Sequence, residues 1–422
     1  MSKLAELEKL GQSVWFDFIR RSLITSGELK ALIDKGVRGI TSNPAIFEKA
    51  IAGSNDYDQA IKKLSQTGKS VDEIYEALAF EDIERAADLL RKTYDTSGGI
   101  DGYVSLEVNP HLANETEKTI QEALRLYETL GRPNVMIKVP ATTAGLPAIT
   151  RLIGAGVNVN ATLIFGLENY RAVADAYISG LEKLAADGPA AAAGHPVNEV
   201  ASVASFFVSR VDSAIDKELK KMNQAELLGK SAIANSKLAY AEFKQIFSGS
   251  RWQPLQDQGA RVQRVLWAST STKTPDFGDT LYVDELIGPD TVNTIPPATL
   301  DSFMDHGRVA ETLTKGWEEA RRQIEKLADL GIDLKAVTQK LLDDGVVAFA
   351  KPFDALMQSI AEKRERLTGA ERLELRAWSI DHSVKKMGRR SLDRHDELKK
   401  KAAIHAVDFI ESDIVIGLGT GS

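Results

Sequence analysis

Short apolar segments alternate with longer segments of helical periodicity along most of this chain. The short segments are rich in Val, Ile and Phe, are bounded by Gly, Pro or Asn, and predict strands at 13–18, 37–44, 101–108, 134–140, 157–165, 201–210, 264–270 and 291–296. The sequence between and after them predicts helices at about 3–11, 26–35, 114–130, 144–155, 168–186, 212–247, 305–330, 333–343 and 350–366, with two or three more within 55–95. Strands that alternate with helices indicate a parallel sheet.

Eight strand–helix units without an order-reversing break predict a closed (β/α)8 TIM barrel with extra C-terminal helices, rather than an open doubly wound sheet. The chemistry of such barrels lies at the carboxyl ends of the strands. Polar side chains occur in or just after several predicted strands, namely Asp17, Asn43, Glu107, Lys138, Asn160, Thr162, Ser205, Arg210 and the run from Ser269 to Lys273. Any one of them can be structural, but their convergence on one barrel mouth favours a functional site.

Lys138 is the most informative of these residues, because it places one ammonium in the otherwise apolar stretch Asn134-Val135-Met136-Ile137-Lys138-Val139-Pro140. Burial disfavours the charged form of a lysine. A neutral buried amine is a nucleophile toward carbonyls, as Schiff-base chemistry requires. The alternative, from this stretch alone, is a lysine at a strand end whose amine extends to water.

A lysine amine, two carboxylates and a separate cation together suit a phosphorylated keto or aldehyde substrate. Lys138 would form an imine whose protonated form accepts electrons from a breaking carbon–carbon bond. Asp17 and Glu107 are available as the base and the acid. Arg210 can bind a phosphate through two parallel hydrogen bonds, with Ser205 donating beside it. Neither a metal ion nor a cofactor is expected, because the imine takes the place of the metal.

Composition narrows the classes of function. The formal net charge of −7 and the pI near 5.6 argue against a general nucleic-acid binder. The absence of cysteine excludes disulfides, thiolate metal sites and cysteine nucleophiles. The first residues lack the apolar run of a secretory signal, and no segment has the length of a membrane span. We therefore expect a cytoplasmic protein with no membrane or nucleic-acid partner.

Six pieces of the sequence, in order and at matching strand positions, resemble motifs of the transaldolase family. They are Trp15-Phe16-Asp17, Thr41-Ser42-Asn43-Pro44, Ser105-Leu106-Glu107-Val108, Ile137-Lys138-Val139-Pro140-Ala141-Thr142, Asn160-Ala161-Thr162-Leu163-Ile164-Phe165 and Ser205-Phe206-Phe207-Val208-Ser209-Arg210. The resemblance covers about residues 1–366, and the run from Trp267 to Lys273 is similar to the larger plant and bacterial branch of the family. It implies a transferase of the pentose phosphate pathway that moves a dihydroxyacetone unit from sedoheptulose 7-phosphate to glyceraldehyde 3-phosphate, giving erythrose 4-phosphate and fructose 6-phosphate.

The resemblance also implies a role for each catalytic candidate. The Schiff-base lysine of the family falls on Lys138. Its proton-transferring carboxylates fall on Asp17 and Glu107, and Glu107 is expected to act through a water held by Thr162. The interpretation of Lys138 as a nucleophile, which its own stretch leaves open, is strongly favoured once these neighbours are included.

The substrate-binding candidates follow from the same resemblance. Asn43 and Asn160 match positions that bind substrate hydroxyls, and Ser205 and Arg210 match a phosphate site. The sequence departs from the family on its seventh strand, where many transaldolases carry a second phosphate-binding arginine. Lys273 is the nearest cation in this chain, and we expect it to take that place.

Two alternative functions use the same barrel. A lyase of the fructose 6-phosphate aldolase type would form the same imine on Lys138 but release its three-carbon product without an aldehyde acceptor, although those relatives are much shorter chains. A non-catalytic barrel that binds sugar phosphates would form no covalent adduct. The presence of the lysine together with both carboxylates disfavours the second alternative.

The sequence after Arg366 changes character. Residues 367–394 are highly charged and predict a solvated linker. Residues 395–422 combine an amphipathic helix with a short strand and the glycine-rich loop Gly417-Leu418-Gly419-Thr420-Gly421, a combination that can hold an anion on backbone N–H groups. This helix and loop resemble the beginning of a type A ribose 5-phosphate isomerase, which implies an incomplete isomerase domain and a fusion that continues beyond Ser422. The alternative is a tail without function, and no isomerase activity is expected of these 422 residues alone.

Overall fold

The predicted barrel is confirmed by the computed structural model, which describes residues 2–187, 196–274 and 276–387 together with Lys399 and Lys401. Eight parallel strands close into a barrel in the order of the sequence. The strands are β1 Gln12–Phe16, β2 Val37–Thr41, β3 Val104–Glu107, β4 Val135–Pro140, β5 Val159–Ile164, β6 Ser202–Phe207, β7 Arg264–Ala268 and β8 Thr291–Ile295. Each strand pairs with its neighbours in sequence, and β8 closes the barrel by pairing with β1.

Helices surround the strands and also connect them. Those before the fifth strand are α1 Lys3–Lys9, α2 Arg21–Thr25, α3 Glu28–Lys35, α4 Pro44–Ala52, α5 Asp58–Gln66, α6 Val71–Thr96, α7 Thr116–Leu130 and α8 Gly145–Gly154. Those after it are α9 Leu167–Asp187, α10 Ser209–Lys221, α11 Ser231–Ile246, α12 Gln253–Gln256, α13 Leu281–Glu285, α14 Pro297–His306, α15 Trp317–Asp329 and α16 Leu334–Met387. Two 3-10 turns lie at Pro110–Leu112 and Ala225–Leu227.

Several strands are shorter than their apolar patterns predict. The first ends at Phe16, so Asp17 lies just beyond it at the barrel mouth. The sixth ends at Phe207, and Arg210 belongs to the first turn of α10 rather than to a strand. The apolar run continues past the strand because the residues at the mouth are also buried, and burial alone does not mark where a strand ends.

Some helix boundaries were predicted wrongly. The segment 212–247 contains two helices, α10 and α11, separated by a turn in which Asn223 and Gly229 have positive φ angles of 55° and 70°. The spacing of Asn114 and Glu117 predicted a capping box at the start of 114–130, but α7 begins at Thr116 without a side-chain cap, so this prediction was wrong. In contrast, 333–343 and 350–366 belong to the single helix α16, which contains Pro352. A proline inside a helix removes a hydrogen bond and commonly ends or kinks it, which is why the sequence predicted a break.

The chain divides into two compact units, Met1–Ala361 and Glu362–Ser422. The first contains the barrel and the first part of α16. The described residues of the second are the rest of that helix, Lys399 and Lys401, so residues 367–387 of the predicted linker are helical. The remainder of the linker and the isomerase-like segment 395–422, apart from those two lysines, lie outside the described residues. No helix in the described part of the chain is both long and apolar enough to cross a membrane.

A buried polar network closes the amino-terminal end of the barrel. Arg264 donates to the Ser13 hydroxyl at 2.8 Å and to the Asp101 carboxylate at 2.9 Å. The indole N–H of Trp15 donates to the same carboxylate at 3.1 Å. Because this end is filled by paired groups, the opposite end, where the polar candidates lie, is left as the mouth.

Candidate active site

The centre of the mouth is an ion pair between neighbouring strands. Lys138 of β4 stands directly opposite Glu107 of β3, and their side chains point to the same side of the sheet. The Lys138 amine donates to Oε2 of Glu107 at 3.1 Å and to the Ser42 carbonyl at 2.9 Å. The two residues are only 5% and 7% exposed. The lysine therefore does not extend to water, as the alternative interpretation of its strand would require.

Glu107 is in a setting that favours its protonated form. Burial raises the pKa of the Glu107 carboxyl, and the Asp17 charge acts in the same direction, while Lys138 opposes both. Its second oxygen, Oε1, is buried and has no hydrogen-bond partner among the described residues. A buried polar atom without a protein partner is normally satisfied by water or by a ligand.

Thr162 of β5 pairs with Pro140 of β4 and lies beside an irregularity in its own strand. The pairing of β5 with β6 shifts between Ala161 and Ile164, and Leu163 adopts a positive φ of 62°. Such a bulge re-aims the neighbouring side chain, and it is often found beside active sites. The Thr162 hydroxyl is buried and, like Oε1 of Glu107, lacks a partner in the described part of the chain.

Asp17 lies at the mouth directly after β1. The Thr41 hydroxyl donates to its Oδ1 at 2.7 Å. Burial raises the pKa of the Asp17 carboxyl, while the Thr41 hydrogen bond and the charges of Lys138 and Lys273 lower it. Asp17 and Glu107 thus both interact with the charge of Lys138, and burial raises the pKa of both carboxyls.

The amide candidates are held differently from each other. Asn160 is fully buried, donates to the Ser105 hydroxyl at 3.1 Å and accepts from the Ser205 hydroxyl at 2.6 Å. Asn43 caps α4, where its Oδ1 accepts the Ile46 N–H at 3.0 Å. The cap fixes one end of the Asn43 amide and leaves its nitrogen available to the mouth.

The cationic candidates form the other side of the mouth. Arg210 has no carboxylate partner among the described residues, and burial lowers the pKa of its guanidinium. The guanidinium carbon lies 5.3 Å from the ring centre of Phe207. Lys273 donates to the Ser271 hydroxyl at 2.7 Å. Burial and the positive charge of Arg210 both lower the pKa of Lys273, while the Asp17 charge opposes them.

Sequence reasoning missed two features of this site. Phe349 of α16 is 9% exposed, and its ring centre lies 5.7 Å from the Lys138 amine and 5.9 Å from the Arg210 guanidinium carbon. Nothing in its helical apolar pattern distinguishes it from a core residue. Ser269, which ends the seventh strand region, has a positive φ of 58°, and its hydroxyl lies 2.9 Å from that of Ser209. In the part of the chain that the structure describes, no cluster of three or more His, Asp and Glu side chains could hold a metal ion.

Comparisons with known proteins agree with this geometry. A family model described as Transaldolase/Fructose-6-phosphate aldolase matches residues 14–360. The Transaldolase of Trichodesmium erythraeum is 49% identical over 379 residues, which cover 86% of this chain and 98% of the relative. Transaldolase 2 of Nostoc punctiforme is 48% identical over 380 residues, with 85% and 97% coverage. The Transaldolase of Mycobacterium ulcerans is 45% identical over 370 residues, with 86% and 98% coverage.

The barrel and its relatives define an enzyme of the transferase class. The chain belongs to the transaldolase/fructose-6-phosphate aldolase family, as its motifs predicted. The family match ends at residue 360, inside the predicted barrel segment 1–366. The exact domain boundary and the roles of the individual site residues stay predictions.

Proposed function

We propose that this chain transfers a dihydroxyacetone unit from sedoheptulose 7-phosphate to glyceraldehyde 3-phosphate through a Schiff base on Lys138, within the pentose phosphate pathway. The observation that carries the proposal is the buried pair of the Lys138 amine and the Glu107 carboxylate, 3.1 Å apart at the barrel mouth. If Glu107 holds the shared proton, the amine is neutral and nucleophilic.

The covalent step begins with attack of the Lys138 amine on the C2 carbonyl of the ketose. The carbinolamine loses water to give a protonated imine. Asp17 then takes the proton of the C4 hydroxyl, the C3–C4 bond breaks, and its electron pair moves into the imine. Erythrose 4-phosphate leaves, and the three-carbon unit stays on Lys138 as an enamine.

The second half of the reaction reverses these steps with another aldehyde. The enamine carbon attacks the carbonyl carbon of glyceraldehyde 3-phosphate, and Asp17 returns its proton to the new hydroxyl. Water then adds to the imine and expels Lys138, which releases fructose 6-phosphate. The position of Asp17 near the Lys138 charge, with a pKa raised by burial, supports its use as both base and acid.

Glu107 and Thr162 are the proposed proton-transfer pair for forming and hydrolysing the imine. Each presents a buried oxygen without a protein partner in the described structure, namely Oε1 of Glu107 and the Thr162 hydroxyl. One water bound by both would satisfy both atoms. The raised pKa of Glu107 suits a group that must donate a proton near neutral pH.

The remaining candidates are assigned to substrate binding. Arg210, which has no carboxylate partner in the described structure, is proposed to bind the substrate phosphate, and Lys273 is proposed to assist it. We assign the substrate hydroxyls to Asn43 and Asn160. Ser205 is proposed to bind the phosphate beside Arg210. Because the Arg210 charge and burial lower the pKa of Lys273, and burial lowers that of Arg210, a dianion bound between them would stabilise both charged forms.

A fructose 6-phosphate aldolase activity is the second candidate, because the matching family includes such enzymes. It needs the same imine but no acceptor. Turnover of fructose 6-phosphate alone would support the lyase, whereas dependence on an added aldehyde phosphate would support the transferase.

The deciding experiment is borohydride reduction in the presence of fructose 6-phosphate, followed by peptide mass mapping. Wild type should carry a reduced three-carbon adduct on Lys138, and Lys138→Ala should carry none. Lys273→Ala is the matched control and should still form the adduct on Lys138. An adduct on another lysine, or none in wild type, would overturn the Schiff-base proposal.

We also infer, from the resemblance of residues 395–422 alone, that the natural gene product joins this barrel to a ribose 5-phosphate isomerase. Measuring the mass of the protein purified from its host, with an assay of both activities on it, tests the fusion. A protein of 46.1 kDa without isomerase activity would contradict it. Fractionation of the host cells before purification, with the protein detected in each fraction, tests the expected cytoplasmic location.

A further inference from the structure

The first part of helix α16 crosses the mouth of the barrel from one side to the other. Near the end of β5, Gly345 approaches so closely that an added Cβ would lie 3.2 Å from Cδ2 of Leu163. Beyond β3, the Phe353 ring centre lies 5.5 Å from that of Tyr75 and 6.0 Å from that of His111. These two contact regions fix the helix on both sides of Lys138.

Phe349 occupies the middle of this crossing. It lies four residues after Gly345 and one helical turn before Phe353. Its ring contacts both Lys138 and Arg210. The distances of 5.7 Å to the Lys138 amine and 5.9 Å to the Arg210 guanidinium carbon are within the range of cation–π contacts. Phe349 is only 9% exposed, so its ring is largely withdrawn from water and packs beside the amine.

We propose that Phe349 is a positioning residue that shields the covalent intermediate on Lys138 from water and thereby sets the ratio of transfer to hydrolytic release. The inference rests on the proposed Schiff-base function. The species that Phe349 would shield is the three-carbon enamine on Lys138, which persists until an aldehyde acceptor binds.

The side reaction that the ring suppresses can be written in full. A solvent proton adds to the enamine carbon and gives the protonated imine of dihydroxyacetone. Water adds to the imine carbon, the carbon–nitrogen bond to Lys138 breaks, and a proton returns to solvent. The products are free dihydroxyacetone and the regenerated amine, so the net reaction consumes one water.

An aromatic ring suits this position for two separate reasons. Its apolar bulk excludes the water that the side reaction needs. Its face also stabilises the positive charge of the protonated imine and of Arg210. Leucine keeps most of the bulk but loses the aromatic face, whereas alanine loses both.

The test compares Phe349→Ala and Phe349→Leu with Phe353→Leu, a matched control that removes the same ring one turn along the same helix. Each protein is given fructose 6-phosphate alone and then with an aldehyde phosphate acceptor. Free dihydroxyacetone, transfer product and borohydride-trapped adduct are measured. Phe349→Ala should raise the ratio of release to transfer by about tenfold or more, Phe349→Leu by less, and Phe353→Leu should leave it unchanged.

Two results would overturn the inference while leaving the proposed function intact. One is an unchanged ratio in Phe349→Leu and Phe349→Ala with normal adduct formation on Lys138. The other is an equal rise in Phe353→Leu, which would indicate general loosening of the helix. If Phe349→Ala does not fold, the conservative Phe349→Leu decides by itself. Absence of the adduct in wild type would instead overturn the proposed function.

Discussion

The amine of Lys138 and the carboxylate of Glu107 are each other's sole ion-pair partners among the described residues, at 3.1 Å. Both are almost fully buried, so removing either one leaves the other as an uncompensated buried charge. The site is thus built around an ion pair that is shielded from water. The proposed imine chemistry uses this relationship, because the proton must leave the amine before the amine can attack.

Replacing Glu107 by Gln should lower kcat by about 10² to 10⁴ while changing KM far less. The amide keeps an acceptor for the Lys138 amine but cannot transfer protons. Because the Glu107 pKa is raised by burial, the wild-type pH–rate profile should also show a limb above the usual range of a glutamate, which Glu107→Gln should lack. Initial rates from pH 5 to 9 measure both effects.

Glu117→Gln, an exposed glutamate on α7, is the control for this series. It should keep the wild-type kcat and pH profile. A Glu107→Gln enzyme with more than half of the wild-type kcat would remove Glu107 from the proton-transfer role.

Replacing Arg210 by Lys should raise KM for fructose 6-phosphate by about ten- to a hundredfold. A lysine cannot make two parallel hydrogen bonds to a phosphate, and a hydrogen bond to a charged group is worth about 1.5–3 kcal/mol. Use of unphosphorylated fructose, however slow, should change little. Lys273→Met should raise the same KM less, because the Lys273 side chain is more exposed than that of Arg210 and its contact is weakened by solvent. Arg125→Lys, at an exposed surface pair with Glu76, is the control.

An Arg210→Lys enzyme that loses activity equally on phosphorylated and unphosphorylated sugars would contradict the phosphate assignment. A larger effect of Lys273→Met than of Arg210→Lys would reverse the proposed order of the two cations.

The barrel was predictable because its signal is repeated along the chain. Polar residues lie in or just after several of the apolar strands, and the closed parallel topology then brings Asp17, Glu107 and Lys138 to one mouth. The pairing of Glu107 with Lys138 follows from the register of β3 and β4. Register between parallel strands is set by packing across the whole barrel, so the sequence indicated proximity but not this contact.

Features that depend on distant segments could not be predicted from the sequence. Phe349 reaches the site only because α16 crosses the mouth, and its apolar pattern is that of any helix packed on a core. The irregularity in β5 at Leu163 has no glycine to mark its positive φ. The continuity of α16 through Pro352 opposes the local preference of proline and is supplied by tertiary packing.

Stability should depend strongly on Arg264 at the closed end of the barrel. Arg264→Met leaves the buried Asp101 carboxylate without its cation, and we expect a loss of about 3–5 kcal/mol in the free energy of unfolding. The double variant Arg264→Met with Asp101→Leu removes both charges and should recover part of that loss. Urea unfolding of wild type, Arg264→Met and the double variant measures these free energies. A double variant less stable than Arg264→Met would contradict the argument.

Asp212 should make the protein less stable as the pH rises toward neutral. Burial raises the pKa of its carboxyl to about 7, even though it accepts hydrogen bonds from the Ala232 N–H at 2.7 Å and the Tyr282 hydroxyl at 2.8 Å. The folded state holds this proton more tightly than the unfolded state does. The stabilising contribution of the protonated carboxyl is therefore complete below about pH 4 and is lost as the pH rises through about 7. The free energy of unfolding falls by up to about 1.4 kcal/mol per pH unit in this range.

Asp212→Asn keeps an acceptor for Ala232 and can donate to the Tyr282 oxygen, so it removes the charge but not the contacts. The variant should therefore be closest to wild type in stability near pH 4 and gain on wild type between pH 5 and 8, with a flatter dependence of unfolding free energy on pH. Urea unfolding at both pH values tests this, with Asp257→Asn as an exposed carboxyl control. A wild-type protein whose stability does not fall between pH 5 and 8 relative to Asp212→Asn would show that the carboxyl ionises without cost, and hence that water reaches it in the folded state.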